Sequence, residues 1–469
     1  LEPPVSLKEN IYLGCGQRNV KSDPTMVLAK REMFSRLCFG GSSGKPEVQA
    51  GDDSLQDGLK PFPAPKTKTK PKKADIKVRT SDATPGGGAR ALPGAQAHDV
   101  SFYTYEMFGH VEQSVDRYLE LANKSKDSLK QVATPCIDDH LIPPEEFEVK
   151  GQLSSVAARI VLKALYVARI ARFDIMWTVN MLAREVTRWT AACDRRLHRL
   201  ISYLHHTVQW AQVCFVGNSP QECWLVLFSD ASFAGDLRDS KSTSGGLLCL
   251  VGPSTFVPIS WICKKQGAVS HSTAESEIIS LDAGIRMEGL PALILWDLVI
   301  DVFAPEKIQQ NTYKGPEAGR ELRQKRIFDI FETVDYVPPS LPICNGKAKL
   351  FVLEDNDAVI KMIIKERSPP LRHVARTHRV GLDWLFERIN RDPGVFIKFV
   401  GTKEQAADIL TKGSFTADAW DKLCKLCQIY PTNVFQDKTV SAKPIVTYKH
   451  HQYSAALRPP KPCAFSTCL

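Results

Sequence analysis

The sequence predicts an α/β fold: a mixed five-stranded sheet with helices packed on it, preceded by a mainly helical region. Three observations lead there. Apolar runs of strand length recur at 224–229, 246–251, 256–262, 349–355 and 395–400. Turn residues alone separate the first three, as in a meander. Helical patterns separate the later ones, and the order strand, strand, strand, helix, strand, helix, strand, helix describes a mixed sheet. Upstream, two helical patterns cover 153–186 and 189–206; in the second, Cys193, Leu197, Leu200, Ile201 and Leu204 form one stripe.

Taken in order, residues 1–40 open with a candidate strand, "NIYLGC" (10–15), followed by a weak helical pattern. Residues 41–100 lose apolar periodicity and become rich in Pro, Gly and Lys, the composition of a flexible insert. Its lysines fit a solvated linker, a nucleic-acid contact or a nuclear address. Order returns near Phe102, where Met107, Val111, Val115 and Tyr118 recur at helical spacing. In the 189–206 helix, Arg195, Arg196 and Arg199 fall off the stripe, toward solvent or a phosphate backbone. A helix is expected from about 273, an irregular insertion over 303–348, a short helix ending before Pro369, another at "THRVGLDWLFERI", and a last one near Glu404. The division is therefore 1–40, 41–100, 101–215, 223–415 and a C-terminal helix and disordered tail over 416–469.

With 469 residues there is room for two or three domains, and 43% hydrophobic content is ordinary for a globular protein. No apolar stretch approaches a bilayer span. No signal peptide is visible and residue 1 is Leu, so a fragment or a piece of a larger polyprotein is expected. The thirteen cysteines form no framework, which reads as reduced thiols in an intracellular protein, cytoplasmic or nuclear. Cys424 and Cys427 make a C-x-x-C with no partner pair at zinc spacing, so helix packing is expected over a metal or redox role. A net charge of +9 is compatible with a polyanionic partner without requiring one.

Four acids stand at element ends. Asp230 closes the first strand, Glu277 lies in the second turn of the following helix, Asp355 closes the fourth strand, and Asp408 begins the last helix. If strands one and four are neighbours, Asp230 and Asp355 meet, with the helix acids approaching from either flank. Crowded carboxylates repel unless a cation neutralises them. An oxygen-only donor set favours Mg²⁺, or Mn²⁺, over zinc. Two such ions can activate water and stabilise the leaving oxygen of a phosphodiester. Nearby, Ser272 and Glu275 stand at capping-box spacing and read as a structural cap.

The segments "FSDASFAGDLRDSKSTSGGLLCL", "SWICKKQGAVSHSTAESEIISL", "LEDNDAVIKMI" and "VGTKEQAADILTK" resemble, in order, motifs of the ribonuclease H domain in copia-type LTR retrotransposon polyproteins. The resemblance spans about 223–415. It implies a ribonuclease H-like sheet, two Mg²⁺ ions, cleavage of the RNA strand of an RNA–DNA hybrid, and metal-binding roles for Asp230, Glu277, Asp355 and Asp408. Residues 1–40 and 100–215 more weakly resemble the end of the reverse transcriptase palm and the segment after it, with Phe173 where the family usually has proline. "CIDDH" (136–140) lacks the aromatic residue of the Y-x-D-D polymerase signature and follows Pro135, so no DNA synthesis is expected from this chain alone. Upstream reverse transcriptase and other polyprotein segments are the expected protein partners.

Ser232, Arg238, Lys241, Ser242, Thr243, Ser244, Lys264, Lys265 and Lys403 are candidate contacts to nucleic acid. For the Ser/Thr group a polar turn is the equal alternative, and for Lys264 and Lys265 a solvated strand end. Contacts to the 2′-hydroxyl would select RNA. The loop "VGTKEQAAD" lacks the histidine of cellular ribonucleases H, leaving Lys403 or Glu404 to replace it; His271 and His378 are expected to be surface or packing residues. The competing class is a decayed module of the same fold that grips nucleic acid without cutting it. A transposase or integrase is disfavoured because Glu277 precedes Asp355.

Overall fold

The computed structural model describes residues 11–12, 14–21, 23–39, 100–236, 238–303, 346–368, 371 and 373–435. Residues 41–99 of the expected insert, nearly all of the 303–348 insertion and the end of the tail lie outside them.

The chain starts with a hairpin of β1 (Ile11–Tyr12) and β2 (Cys15–Val20). Helix α1 (Pro24–Phe34) starts on Pro24, with the Asp23 carboxylate accepting from Thr25 N at 2.9 Å. Then come β3 (Ser101–Glu106), α2 (Phe108–Ala122), α3 (Ala157–Ile170), α4 (Met176–Arg184), α5 (Ala191–His206) and β4 (Trp210–Val216). The meander is β5 (Trp224–Ser232), β6 (Thr243–Gly252) and β7 (Thr255–Lys265), followed by α6 (Thr273–Gly284) and α7 (Leu290–Phe303). The remainder is β8 (Leu350–Glu354), α8 (Asp357–Ile364), α9 (Val374–Thr377), α10 (Leu382–Arg391), β9 (Val395–Phe399), α11 (Asp408–Thr411), α12 (Ala417–Leu426) and β10 (Ile429–Pro431).

This is a mixed α/β architecture, a mixed sheet flanked by helices. The five expected strands form the run β7-β6-β5-β8-β9, antiparallel from β7 to β5 and parallel from β5 to β9. The sheet does not stop there. It continues through β4, β3, β2 and β1, and β10 returns to pair with β4. The strands β3 and β4 inside the mainly helical region were hidden for different reasons. The residues of β4 are buried on both faces, which erases period-two alternation, and β3 runs straight into the helical pattern that begins at Met107.

Among the described residues two apolar cores cover the sheet. Val226 and Phe228 of β5 enter one, while Leu225 and Leu227 enter the other. That explains the unbroken apolar run before Asp230: both faces of β5 are covered. The first core also takes Phe34 of α1, the predicted α5 stripe, and Cys424 and Cys427. Burial raises the thiol pKa of both cysteines, Cys427 to about 12. Among the described residues no helix is long and apolar enough to cross a membrane.

One expectation is corrected. Arg195, Arg196 and Arg199 do not simply face solvent or phosphate; each binds the loop before α3. Arg195 pairs with Glu146, Arg196 with Asp139, and Arg199 donates to Thr134 Oγ1 at 2.8 Å. A guanidinium off the apolar stripe of a packed helix finds its acids on the neighbouring loop, which helical periodicity cannot display.

Candidate functional site

Strand pairing builds the site. The parallel register of β5 on β8 ends at Phe228 opposite Leu353, so two further residues bring Asp230 beside Asp355. On its other side Asp230 faces Gly245 of β6. Helix α6 crosses behind, and Ser280 Oγ donates to Asp230 O at 2.7 Å, which locks the strand to the helix that carries Glu277. Asp230, Glu277 and Asp355 each offer a carboxylate oxygen with all three within 4.8 Å of one another, the one such group among the described residues.

Asp408, at the start of α11, is not part of that trio. Its Oδ1 accepts from Lys412 Nζ at 2.5 Å, and the same ammonium lies 3.7 Å from Asp230 Oδ1. Thr411 Oγ1 donates to Asp230 Oδ2. A fifth carboxylate, Glu354, escaped sequence reasoning. It is fully buried at the end of β8, and its Oε1 accepts from Asn356 N at 3.2 Å. The only signal was its place next to Asp355 in "LED".

Burial, reinforced by the charges of Glu354, Asp230 and Asp355, pushes the Glu277 carboxyl up to about 10. Burial and Asp230 push Asp408 up to about 7. Asp355 is raised by burial and Asp230, and Glu354 is raised well above the usual carboxylate range, chiefly by burial. Burial alone would lower the Lys412 pKa, but Asp230, Asp408 and Asp355 more than offset it. Each shift shows the same thing: negative charge is crowded where water is scarce. Glu277 Oε2 and Glu354 Oε2 are buried without hydrogen-bond partners. Carboxylates alone, with lone pairs unsatisfied, fit a hard divalent cation such as Mg²⁺ or Mn²⁺.

The expected nucleic-acid contacts fall into different settings. Ser232 is half-buried at the end of β5, and Lys264 and Lys403 are exposed. Ser242, Thr243 and Ser244 are buried; Ser242 Oγ accepts from Ala234 N at 3.1 Å and Ser244 Oγ from Gln266 Nε2 at 3.0 Å. Arg238 pairs with Glu185, Lys265 with Asp236 and Asp239, and Lys241 lies 4.0 Å from Asp239. Glu404 is held by Arg36. A cavity of about 320 Å³ opens beside Thr411 and Lys412, lined also by Asp138, His140, Trp177, Ser232 and Ser414.

The cap at α6 is half a capping box. Ser272 Oγ accepts from Glu275 N at 3.1 Å, but Glu275 Oε2 accepts from His271 N, not from the Ser272 amide. Glu275 Oε1 instead faces His373 Nε2 at 3.1 Å and His378 Nε2 at 3.3 Å. Glu275 therefore ties the 373–378 segment to the start of α6, and His378 is a packing residue with 2% of its side chain exposed.

The chain is similar to the retrovirus-related Pol polyprotein from transposon TNT 1-94 of Nicotiana tabacum, 30% identical over 175 residues, covering 36% of this chain and 12% of that protein. It is 32% identical over 123 residues to the corresponding polyprotein from transposon RE1 of Arabidopsis thaliana, covering 26% of this chain and 8% of the relative. It is also similar to secreted RxLR effector protein 161 of Plasmopara viticola, 31% identical over 122 residues, which are 25% of this chain and 78% of that protein. No family model and no solved structure matches. The chain thus spans about a tenth of the polyproteins it matches, and its similarity is to the retrovirus-related Pol polyproteins of copia-type transposons.

Proposed function

We propose that this fragment is a ribonuclease H, cleaving the RNA strand of an RNA–DNA hybrid with the help of divalent ions. The observation that carries the proposal is the convergence of Asp230, Glu277 and Asp355 at the ends of two adjacent parallel strands and on the helix behind them. The run β7-β6-β5-β8-β9 supports it as the mixed five-stranded sheet that the resemblance implies.

Asp230, Glu277 and Asp355 would hold one ion, and Asp230 with Asp408 a second. Bound ions of this kind make water nucleophilic near neutral pH and stabilise the departing 3′-oxygen. The protein's own contribution is positioning. Thr411 orients the Asp230 carboxylate, Ser280 and Gln405 hold the β5 backbone through Asp230 O and Ser229 O, and burial excludes competing water. The cavity beside Lys412 is the proposed approach for the hybrid, with the exposed Lys264 and Lys403 available to phosphates.

Incubating a labelled hybrid with the full chain and Mg²⁺ tests the proposal. Wild type is expected to cleave, chelation to stop it, and Asp230→Asn to lower the rate by at least about 100-fold, the upper end for disturbing a metal shell. Equal degradation by both proteins removes the assignment. Hybrid binding without cleavage by wild type replaces it with the non-catalytic module.

A further inference from the structure

The acid cluster already contains a cation of the chain's own. Lys412 stands four residues after Asp408, at the C-cap of the single helical turn that Asp408 begins. Ordinary pairs of this kind occur nearby: Lys422 with Asp418 and Lys425 with Asp421 each touch one exposed acid. Lys412 is different. Its Nζ reaches a buried pair, 2.5 Å from Asp408 Oδ1 and 3.7 Å from Asp230 Oδ1, whose side chains are 13% and 3% exposed. Thr411 meanwhile occupies Asp230 Oδ2. Two consecutive residues thus engage both oxygens of Asp230, and the ammonium spans the gap between Asp230 and Asp408. Asp408 falls outside the trio of converging acids, and its Oδ1 faces the lysine.

We propose that Lys412 is the second cation of the site in the free chain, an assignment that rests on the ribonuclease H function proposed above. One divalent ion binds at Asp230, Glu277 and Asp355. The ammonium neutralises the Asp230–Asp408 pair, so a second ion binds only by displacing it. Phosphate entering from the adjacent cavity, which Lys412 lines, is a competing anion that draws the ammonium away.

The test counts ions. Mn²⁺ binding to the full chain, without nucleic acid, is measured by electron paramagnetic resonance of the free ion for wild type, Lys412→Met and Lys412→Arg, with circular dichroism confirming that all three fold. Wild type and Lys412→Arg are expected to take one ion. Lys412→Met is expected to take two, with the second site at least tenfold tighter than in wild type. Two ions on wild type, or the same count in wild type and Lys412→Met, overturns the role of Lys412; hybrid cleavage that persists in that case leaves the nuclease function standing. No Mn²⁺ on any of the three removes both.

Discussion

Lys30 shows how one residue records its surroundings. Its ammonium is buried under the sheet, donates to Leu426 O and sits 4.4 Å from the centre of the Phe256 ring. Burial lowers its pKa from 10.5 to about 8. Between those values the unfolded chain still holds the proton that the folded chain has released, so this residue makes stability rise with pH across that window. Below pH 8 the cost of the buried charge is present in full, on the order of 3 kcal/mol. Lys30→Met should therefore be more stable than wild type at pH 7, with an advantage that shrinks toward pH 10.5. The difference between the two urea midpoints, followed from pH 7 to pH 10.5, checks this. A constant difference would contradict the assignment. At this scale the sequence was legible where an acid interrupts an apolar run, as at Asp230 and Asp355. It was illegible where charge is cancelled by residues distant in number: Arg238 by Glu185, Arg196 by Asp139.

Among elements, the close approach of β6 to α11 sets the geometry around Asp230. A methyl group at Gly245 would lie 2.3 Å from Thr411 Cγ2 and 3.2 Å from Leu410 Cβ, and a β-branched threonine has little rotamer freedom with which to yield. Gly245→Ala should displace the hydroxyl that orients Asp230, lower hybrid cleavage about tenfold or more, and cost about 1–3 kcal/mol of stability. Gly246→Ala is the control, since its nearest neighbours stand 3.7 Å away or more, and it should leave cleavage unchanged. Comparable rates for the two variants would remove Thr411 from its positioning role. The pair of glycines was visible in "STSGG", but which of them touches another element was not. The strands of the meander and the α5 stripe were readable because each has a clean period or a turn on both sides. β4, buried on both faces and placed directly after the α5 pattern, has no such period.

In the molecule as a whole, the last described segment is part of the first core. Trp420 Nε1 donates to Tyr203 Oη at 3.2 Å, and Tyr203 donates to Asp174 Oδ2 at 2.9 Å. Asp174 is in turn held by the fully buried Arg172 through two bonds of 2.8 and 2.9 Å. Trp420→Ala leaves this network short of a donor and opens a hole, so a loss of about 3–5 kcal/mol in urea unfolding is expected. A chain truncated after Phe415 should fare worse. It would lose α12 and bare the side of β4 that β10 covers, and loss of a cooperative thermal transition would register the damage. An unchanged transition in either variant would show that the C-terminal segment is dispensable. Local patterns announced a helix there; nothing local could announce that three residues after it complete a strand pair with residues 210–212.

The ten-stranded sheet also dictates an order of assembly. β5, β6 and β7 are joined by short connections and can pair as soon as they leave the ribosome. β8 must come back to β5 across more than a hundred positions, and β10 must reach β4 across more than two hundred. Closing loops of that size costs entropy before any contact repays it. The meander is therefore expected to pair first, and Asp230 and Asp355 come together only when β8 docks, late enough that a nascent chain carries the candidate site in separate pieces.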